Sequence, residues 1–413
     1  MKAVLITIGN EILNGQVVDT NAAWLAQGLL EIGIPVQEKW SVGDEIEEIT
    51  GALDRGTLKA DVIITTGGLG PTKDDLTCEA IAGWMKVDRV FHTGTFEKLT
   101  KIFASLGRVP TDAHRIQCML PEGVTILPNN NGTAPGMYFD VKGKHIISMP
   151  GVPFEMKAIF DPYVKELLNG LKKGPKRMSH TFNTVGEGET VLEDLIKNIT
   201  NRAPNYIGFA FLPDIYKVRI RVDVDSESAD HLKEYEKILE EIRVVLKDYI
   251  VGENENVLEI AIGNLVKGKK WELGTAESCT GGYVSHLITS IPGSSEYFKG
   301  GIISYSNELK QSKLNVASAT LEKYGAVSEQ TVKEMALGAL TALNVNVAVS
   351  ISGIAGPAGG TAEKPVGLIW IAVANAFGKV TTKKIQLRRD RLLNIRAASN
   401  MALITLYRFL SDE

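Results

Sequence analysis

The sequence predicts an α/β protein in which two doubly wound α/β domains are joined by a small α+β domain. Two observations lead to this fold class. In residues 1–170 and again in 253–413, short apolar runs alternate with segments of helical periodicity. Such alternation is typical of parallel sheets whose strands are buried on both faces. In residues 171–252 the pattern changes to a helix, two adjacent strands and a long charged helix, which favours an α+β unit.

The first domain, residues 1–170, alternates regularly between the two kinds of element. Apolar runs of strand length predict strands, and apolar positions spaced by three or four predict helices. The predicted elements, in chain order, are strand 3–8, helix 21–32, strand 36–40, helix 46–58, strand 61–66, strand 144–149 and helix 154–168. The sequence NGLKKGPK, at 169–176, contains Gly and Pro and marks the first boundary.

The two remaining domains are separated by the polar, acidic residues 252–256. In the middle domain, residues 171–252, the predicted elements are helix 191–200, strand 206–212, strand 216–224 and helix 229–246. In the last domain, residues 253–413, the predicted strands are 272–276, 301–305, 347–352 and 368–374, and the predicted helices are 257–267, 283–290, 328–343 and 391–410.

The composition of the chain restricts the partners that it can be expected to bind and the compartment in which it can be expected to lie. The net charge of −4 weighs against broad nucleic-acid binding, which needs clustered Lys and Arg, so we expect no direct nucleic-acid partner. The three cysteines contain no CxxC pair, so neither a disulfide framework nor a structural zinc site is indicated. No apolar run approaches the roughly 20 residues that span a bilayer, and no signal-peptide pattern opens the chain. We therefore expect a cytoplasmic protein with no membrane partner.

The strongest local motif is TAESCTGG, at residues 275–282, which follows a predicted strand and opens a predicted helix. A helix N-terminus offers unpaired amides and the positive end of a dipole, which suit an oxyanion or a phosphate. The amides expected to bind it are those of Thr280, Gly281 and Gly282. Ser278 and Cys279 are both candidate nucleophiles, and the spacing does not separate them. The alternative is an ordinary helix cap in a βα turn.

A serine nucleophile needs a base, and Lys310 is the candidate. The only histidine in residues 253–413, His286, lies inside a predicted helix, which makes a Ser-His-Asp triad awkward. A lysine can accept the proton if burial lowers its pKa. Lys310 follows a predicted strand, and strand ends on one sheet edge can converge. Tyr305 could orient the proton, while the alternative for Lys310 is a solvated helix residue.

Two further segments could complete a pocket in the last domain. The loop SGIAGPAGG, at residues 352–360, ends a buried strand and is rich in glycine, with Gly353 and Gly356 as candidate ligand contacts; the alternative is a plain turn. Arg391 and Arg396 begin the last predicted helix. Arginine suits bidentate phosphate recognition, so both are candidate phosphate ligands, although either could be an ordinary surface residue.

A second glycine-rich motif, TTGGLGPTKDDLT at residues 65–77, follows a buried strand near the start of the chain. Glycines let a phosphate approach the backbone, and two adjacent carboxylates could hold a hydrated cation. The glycines in question are Gly67, Gly68 and Gly70. The alternative is a Gly/Pro turn in which Asp75 caps the next helix. Loops at 9–15 and 131–136, the latter with Gly132 and Thr133, could complete a ligand crevice at the edge of a parallel sheet.

The motifs ESCTGG, SYSNELK, SGIAGP and KPVG, together with the last arginines, resemble the CinA C-terminal domain over residues 257–410, the bacterial nicotinamide mononucleotide (NMN) deamidase family. The resemblance implies hydrolysis of NMN to nicotinic acid mononucleotide and ammonia, without a cofactor. It implies Ser278 as nucleophile, with Lys310 and Tyr305 as activating partners. The choice of Ser278 over Cys279 rests on this resemblance. The resemblance also implies phosphate contacts from Arg391 and Arg396.

GGLGPTKDD-T resembles the MogA/MoaB fold of molybdopterin-binding proteins and, over residues 1–168, the CinA N-terminal domain. The resemblance implies an ADP-ribose pyrophosphatase that uses a divalent cation, of Mg or Co type, and potassium. Asp75 is the first candidate for metal or water positioning, followed by Asp44 and Glu11. The middle segment resembles a KH-type domain, but it lacks the GxxG loop of nucleic-acid-binding KH units, so we expect a connector.

These inferences predict a bifunctional hydrolase that recycles pyridine nucleotides, with NMN and ADP-ribose as small-molecule partners. The resemblance also suggests a homodimer. One alternative is an N-terminal domain that binds or adenylylates a molybdopterin-type ligand. Another, from a different class, is a non-catalytic interaction protein in competence or DNA-damage response.

Overall fold

The computed structural model describes residues 1–172, 177–226 and 228–412. The first predicted boundary, at 169–176, therefore lies in part outside the described residues. The chain divides into two compact units: Met1–Met178 with Asp225–Ser228, and Ser179–Val224 with Ala229–Glu413. The sheet of the middle segment thus groups with the C-terminal α/β segment.

The first unit is built around a six-stranded sheet. The strands of this unit, in chain order, are β1 Ala3–Ile8, β2 Val36–Val42, β3 Val62–Thr66, β4 Arg89–Phe91, β5 Met119–Pro121, β6 Thr125–Leu127, β7 Gly136–Val141 and β8 Lys144–Met149. Its helices are α1 Asn10–Leu13, α2 Thr20–Glu31, α3 Ile46–Lys59, α4 Thr77–Met85, α5 Thr93–Ser105, α6 Asp112–Ile116, α7 Pro153–Ile159 and α8 Lys165–Leu171, with a π-helical turn between the last two. The short strands β4 and β5 form a separate ribbon.

The strand order of the large sheet is β2-β1-β3-β8-β7-β6. The four strands from β2 to β8 run parallel, as the sequence predicts, whereas β7 and β6 add on as antiparallel strands. The tight turn between β7 and β8 explains the change, because Lys142 and Gly143 both have positive φ, as hairpin turns require. The order reverses between β1 and β3, where a doubly wound sheet forms its ligand crevice.

In the middle segment the second unit contains a four-stranded sheet of order β10-β11-β9-β12. Its elements are β9 Arg177–Val185, α9 Glu189–Arg202, β10 Ile207–Asp214, β11 Lys217–Asp225, α10 Ala229–Val245 and β12 Ile250–Glu253. The two predicted helices and two predicted strands are all present, and β9 and β12 complete the sheet. The KH-type assignment stays a prediction.

The C-terminal segment forms a five-stranded sheet of order β14-β13-β15-β16-β17. Its strands are β13 Leu273–Glu277, β14 Phe298–Ile303, β15 Val347–Gly353, β16 Leu368–Asn375 and β17 Val380–Gln386. Its helices are α11 Leu258–Gly268, α12 Tyr283–Thr289, α13 Asn307–Leu314, α14 Ser318–Tyr324, α15 Glu329–Leu343 and α16 Arg391–Ser411, with a short 3₁₀ turn at Ser294–Glu296. Strands β14, β13 and β15 are parallel, and β16 and β17 are antiparallel.

Two features of this segment place its functional residues. β13 and β15 lie side by side at the centre of the sheet, so the loops that follow them open at the same edge. Helix α16 packs against the sheet and is buried through most of its length, with Ala397, Ala398 and Ala402 fully buried. In the described ranges, no helix combines the length and the hydropathy needed to cross a membrane.

Within the second unit, the turn between β10 and β11 packs against α16. Asn400 donates its side-chain amide to the carbonyl oxygen of Ile215 at 2.9 Å. Arg396 lies 3.7 Å from the carboxylate of Asp214. Lys217 and Glu259 add an ion pair of 2.6 Å that is largely shielded from solvent. These contacts join the middle sheet to the C-terminal segment.

Candidate functional site

Ser278 and Lys310 meet at the edge of the C-terminal sheet. Ser278 follows the last residue of β13, and Lys310 lies on α13, just beyond β14. The Lys310 ammonium donates a hydrogen bond of 3.1 Å to Ser278 Oγ. β13 and β14 are parallel neighbours, so their carboxyl ends lie together and bring the two side chains into contact.

Lys310 is buried, not solvated. Its side chain is only 1% exposed, and its ammonium also donates to the carbonyl oxygens of Ser304, at 2.7 Å, and Tyr305, at 3.4 Å. Ser306 caps the N-terminus of α13 and fixes the direction in which that helix starts. Burial lowers the pKa of Lys310, because the charged form loses its hydration. A lowered pKa favours the neutral amine, which is the form that can accept a proton.

Cys279, the rival nucleophile, is in a poor environment for a thiolate. Its side chain is buried, and burial raises the pKa of the thiol to about 12, with the nearby Glu277 carboxylate acting in the same direction. A thiol reacts through its thiolate, which is scarce at neutral pH when the pKa is so high. The geometry therefore favours Ser278, whose hydroxyl already contacts a base.

The turn after Ser278 is organised by Glu277, whose buried carboxylate points into the start of α12. It accepts hydrogen bonds from the Gly282 amide at 3.0 Å and the Thr280 hydroxyl at 2.7 Å. The Gly281 amide donates to the carbonyl oxygen of Ser278 at 3.1 Å.

These contacts correct one expectation. The amides of Gly281 and Gly282 were expected to receive an oxyanion, but the folded chain already uses them. In the described part of the turn, the backbone amides of Cys279 and Thr280 are those that have no acceptor on another residue.

A cavity of about 270 Å³ opens beside Ser278. Its walls include the turn at Ser278, the loop after β15 and Arg391. Gly353 is required by packing, because a Cβ there would lie 2.7 Å from the carbonyl oxygen of Leu368 as well as 2.2 Å from Cδ1 of Ile369. Gly356 has a φ of +92° and marks a sharp bend in the same loop.

Arg391 and Tyr305 form one wall of this cavity. Arg391 donates to the carbonyl oxygen of Gly356 at 2.6 Å and to the Tyr305 hydroxyl at 3.2 Å. The Tyr305 side chain is 60% exposed, and its contact with Lys310 is made by the backbone oxygen and not by the hydroxyl. The structure thus brings Tyr305 to the cavity but turns its phenol towards Arg391 and not towards the proposed base.

Arg396, the other predicted phosphate ligand, does not line this cavity. It lies five residues after Arg391 on α16, which places it roughly 140° around a helix of 3.6 residues per turn. There it faces Asp214 of the β10–β11 turn.

A larger cavity, of about 560 Å³, lies at the edge of the N-terminal sheet. The loops that follow β1, β3 and β8 line it, as expected for a crevice at the point where the strand order reverses. Of the predicted residues, those that line this cavity are Glu11, Asp44, Gly67, Gly68, Gly70, Asp75 and Thr133. Gly132 lines a smaller neighbouring cavity of about 150 Å³, which shares Thr133 with the larger one.

Asp75 holds the glycine-rich loop together. Its carboxylate accepts from the Gly70 amide and from the Thr72 amide, both at 2.8 Å, and from the Thr72 hydroxyl. Gly67 must be glycine, since its φ is +108° and a Cβ would lie 2.1 Å from the carbonyl oxygen of Ile8. The helix that follows, α4, has Leu76 and not Asp75 as its N-cap.

Asp44 lies close to three other carboxylates of this cavity, those of Glu11, Asp74 and Asp75. It accepts from the Asn10 amide at 2.9 Å. Burial raises the pKa of Asp44, and the carboxylates of Glu11, Asp74 and Asp75 raise it further. Across residues 1–172, 177–226 and 228–412, no group of three or more His, Cys, Asp or Glu side chains is arranged to hold a metal ion.

Sequence reasoning missed two residues that organise the C-terminal site. Glu277 lies directly after the predicted strand 272–276 and has no role in the sequence-based prediction, although the hydroxyls of Thr280 and Ser285 downstream donate to its carboxylate. Asn394 is fully buried on α16 and donates to the carbonyl oxygen of Ala355 at 3.0 Å, which ties the glycine-rich loop to the helix. An asparagine at a position that the helical period places among the core residues of α16 is the signal that could have revealed Asn394.

Comparison with known proteins matches two family models. Residues 4–170 match the family described as a probable molybdopterin binding domain, and residues 255–410 match the CinA C-terminal domain. A CinA-like protein from Cytophaga hutchinsonii is 40% identical over 407 residues, which cover 98% of this chain and 97% of that protein. A CinA-like protein from Dictyoglomus thermophilum is 37% identical over 394 residues, with 95% of each chain covered.

One solved structure, of the competence/damage inducible protein CihA from Agrobacterium tumefaciens, is 39% identical. It covers 37% of this chain and 93% of its own, with a TM-score of 0.36. The two family models and the full-length relatives bear out the predicted combination of a MogA/MoaB-like domain with a CinA C-terminal domain, and the chain belongs to the CinA family.

Proposed function

We propose that the C-terminal domain hydrolyses the carboxamide of NMN to nicotinic acid mononucleotide and ammonia. The observation that carries the proposal is the 3.1 Å contact between the buried Lys310 amine and the Ser278 hydroxyl. A serine becomes a nucleophile when an adjacent base removes its proton, and a lysine with a lowered pKa can be that base. The resemblance to the NMN deamidase family supplies the substrate.

The reaction proceeds in two halves. Neutral Lys310 takes the proton from Ser278, and the oxygen attacks the carboxamide carbon to form a tetrahedral oxyanion. The intermediate collapses, the proton on Lys310 passes to the nitrogen, and ammonia leaves behind an ester on Ser278. Water, deprotonated by Lys310, then attacks the ester, and Ser278 regains its proton as the acid is released. Each half is an acyl transfer that one positioned base can serve.

The cavity walls suggest how the substrate is held. The Arg391 guanidinium, fixed by Gly356 and Tyr305, is the cation of the cavity that can meet a nucleotide phosphate. The carboxamide end then points towards Ser278, at the buried end of the cavity.

Ammonia release from NMN by the full chain tests this proposal, with hydroxylamine added to intercept the ester as a hydroxamate. Turnover with hydroxamate formation supports the serine mechanism. Ammonia release without any hydroxamate, across a range of hydroxylamine concentrations, would contradict the formation of an ester on Ser278. No ammonia from NMN, with the protein folded, would contradict the assigned substrate.

For the N-terminal domain we propose hydrolysis of ADP-ribose to AMP and ribose 5-phosphate. The supporting observation is the 560 Å³ cavity, which is lined by the glycine-rich loop after β3 together with Asp44. Mg²⁺ is commonly held by one or two carboxylates plus substrate phosphates, so a complete set of protein ligands is not required. A divalent cation would be held by Asp44, with Glu11 beside it, and would neutralise charge on the phosphates.

AMP release from ADP-ribose tests this second activity. We expect it to require Mg²⁺ or Co²⁺ and to rise with potassium. Tight binding of a molybdopterin-type ligand, with no AMP release under any cation, would instead favour the pterin-binding alternative.

A further inference from the structure

Glu277 is a buried carboxylate at the centre of the C-terminal site. It is the last residue of β13, immediately precedes Ser278, and is only 1% exposed. In the described part of the chain, no lysine, arginine or histidine forms an ion pair with it. Its two oxygens accept five hydrogen bonds, from Thr280 Oγ1 at 2.7 Å, the Gly282 amide at 3.0 Å, the Val284 amide at 3.0 Å, the Ser285 amide at 2.8 Å and Ser285 Oγ at 2.7 Å.

A carboxylate removed from water is costly unless hydrogen bonds replace its hydration. The five donors supply that replacement, and three of them are amides at the start of α12 that the helix itself leaves unpaired. The donors span residues 280–285, so a single side chain ties the end of β13 to both the turn and the helix. The nucleophile, Ser278, lies between these fixed points.

We propose that Glu277 is a positioning residue, which holds the Ser278 turn so that Oγ stays within reach of Lys310. This inference rests on the proposed serine mechanism. Glu277 does not contact the cavity and acts through Ser278. By occupying the donors at the start of α12, it also leaves Cys279 and Thr280 as the amides of the turn that can receive an oxyanion.

The Glu277→Gln variant tests this role, because it keeps the size of the side chain but turns one accepting oxygen into a donor that faces other donors. We expect kcat for NMN to fall about 10²-fold, as for a misplaced reacting group, while KM changes less than about twofold. KM should hold, since Arg391 and the β15 loop are untouched. Glu296→Gln, which alters an exposed carboxylate just before β14, at the opposite edge of the same sheet, is the matched control and should keep wild-type kcat.

A second readout does not depend on NMN. A small fluorophosphonate phosphonylates an activated serine, so its rate of reaction at Ser278 measures the activation of the nucleophile directly, and Ser278→Ala gives the background. We expect Glu277→Gln to slow labelling in parallel with kcat. If the wild type is labelled but does not hydrolyse NMN, the substrate assignment fails while the role of Glu277 is still measured.

Labelling of Glu277→Gln at the wild-type rate, with the thermal midpoint unchanged, would overturn the proposal. Ser285→Ala covers the case in which Glu277→Gln does not fold, because it removes only one of the five hydrogen bonds. We expect a smaller slowing in the same direction. If Glu277→Gln is unfolded, a wild-type labelling rate in Ser285→Ala overturns the proposal.

Discussion

Lys310 Nζ lies 3.1 Å from Ser278 Oγ, although the two residues are 32 positions apart in the chain. The separation is bridged by one helix and one parallel strand, α12 and β14, which return the chain to the same sheet edge. A buried amine beside a hydroxyl is unfavourable as a structural pair, since the charged form pays a desolvation cost. Burying Lys310 beside Ser278 is therefore expected to lower the stability of the fold.

Lys310→Met is expected to abolish ammonia release from NMN and to stabilise the fold. Methionine fills a similar volume without a charge, so the substitution removes the desolvation cost of the buried ammonium. It also removes the hydrogen bonds to the carbonyl oxygens of Ser304 and Tyr305, which limits the expected gain in the free energy of unfolding to on the order of 1 kcal/mol. Denaturant unfolding at pH 7 measures the gain. Lys313→Met, at an exposed position on the same helix, is the control and should change neither property. A stabilised Lys310→Met enzyme that still turns over would exclude Lys310 as the base.

The pH profile should report the titration of Lys310. The neutral amine is the active form, so kcat/KM is expected to rise with pH through a pKa below the ordinary lysine value of 10.5. Stability should also rise with pH. Between the lowered pKa of Lys310 in the folded chain and 10.5, the unfolded chain binds more protons than the folded chain, so the free energy of unfolding increases with pH across that window. Denaturant unfolding at several pH values measures this slope, which should be smaller in Lys310→Met. A slope unchanged by that substitution would show that another group titrates.

Arg391→Met and Arg396→Met are expected to differ, although the two arginines share a helix. Only Arg391 lines the cavity, so its loss should raise KM for NMN at least about tenfold, the cost of a charge-assisted phosphate contact. Arg396 faces Asp214, so its loss should leave KM unchanged and lower stability by at most about 1 kcal/mol. Steady-state kinetics on both variants, with thermal unfolding, provide the comparison. Equal effects on KM would place Arg396 at the substrate after all.

Asp44→Asn is expected to weaken the cation dependence of AMP release from ADP-ribose. The raised pKa of Asp44 reflects burial and neighbouring carboxylates, and a cation would relieve that crowding of like charge. The variant should therefore need a higher concentration of Mg²⁺ for half-maximal activity. A Mg²⁺ titration of the rate measures this, with Glu97→Gln, an exposed position on α5, as the control. An unchanged Mg²⁺ requirement would remove Asp44 from the cation site.

Much of the fold follows from local pattern, because several central strands are short runs of mostly apolar residues. β1 and β8 were predicted to the residue, and β13 and β15 within one residue at each end. β17, with the sequence VTTKKIQ, was missed because an edge strand alternates polar and apolar residues and carries lysines. The antiparallel direction of the strands added to both sheets was not predicted either, although β16 itself was predicted as a strand, since strand direction depends on connections that periodicity does not encode.

The site was predictable to the extent that sheet topology brings strand ends together. That reasoning placed Lys310 beside Ser278, but it could not show that the lysine would be buried. The helical period alone separates Arg391 from Arg396, and that signal was available in the sequence. Glu277 was not predictable, because its five donors come from a turn whose shape depends on the carboxylate itself.

The most direct test of the central claim is ammonia release from NMN by Ser278→Ala and Cys279→Ala, measured side by side with the wild type. The buried Cys279 thiol, with its pKa raised to about 12, should be dispensable, so Cys279→Ala is expected to keep most of the activity. Ser278→Ala is expected to lose ammonia release to background with its thermal midpoint preserved. Full activity in Ser278→Ala, together with loss of activity in Cys279→Ala, would contradict the account.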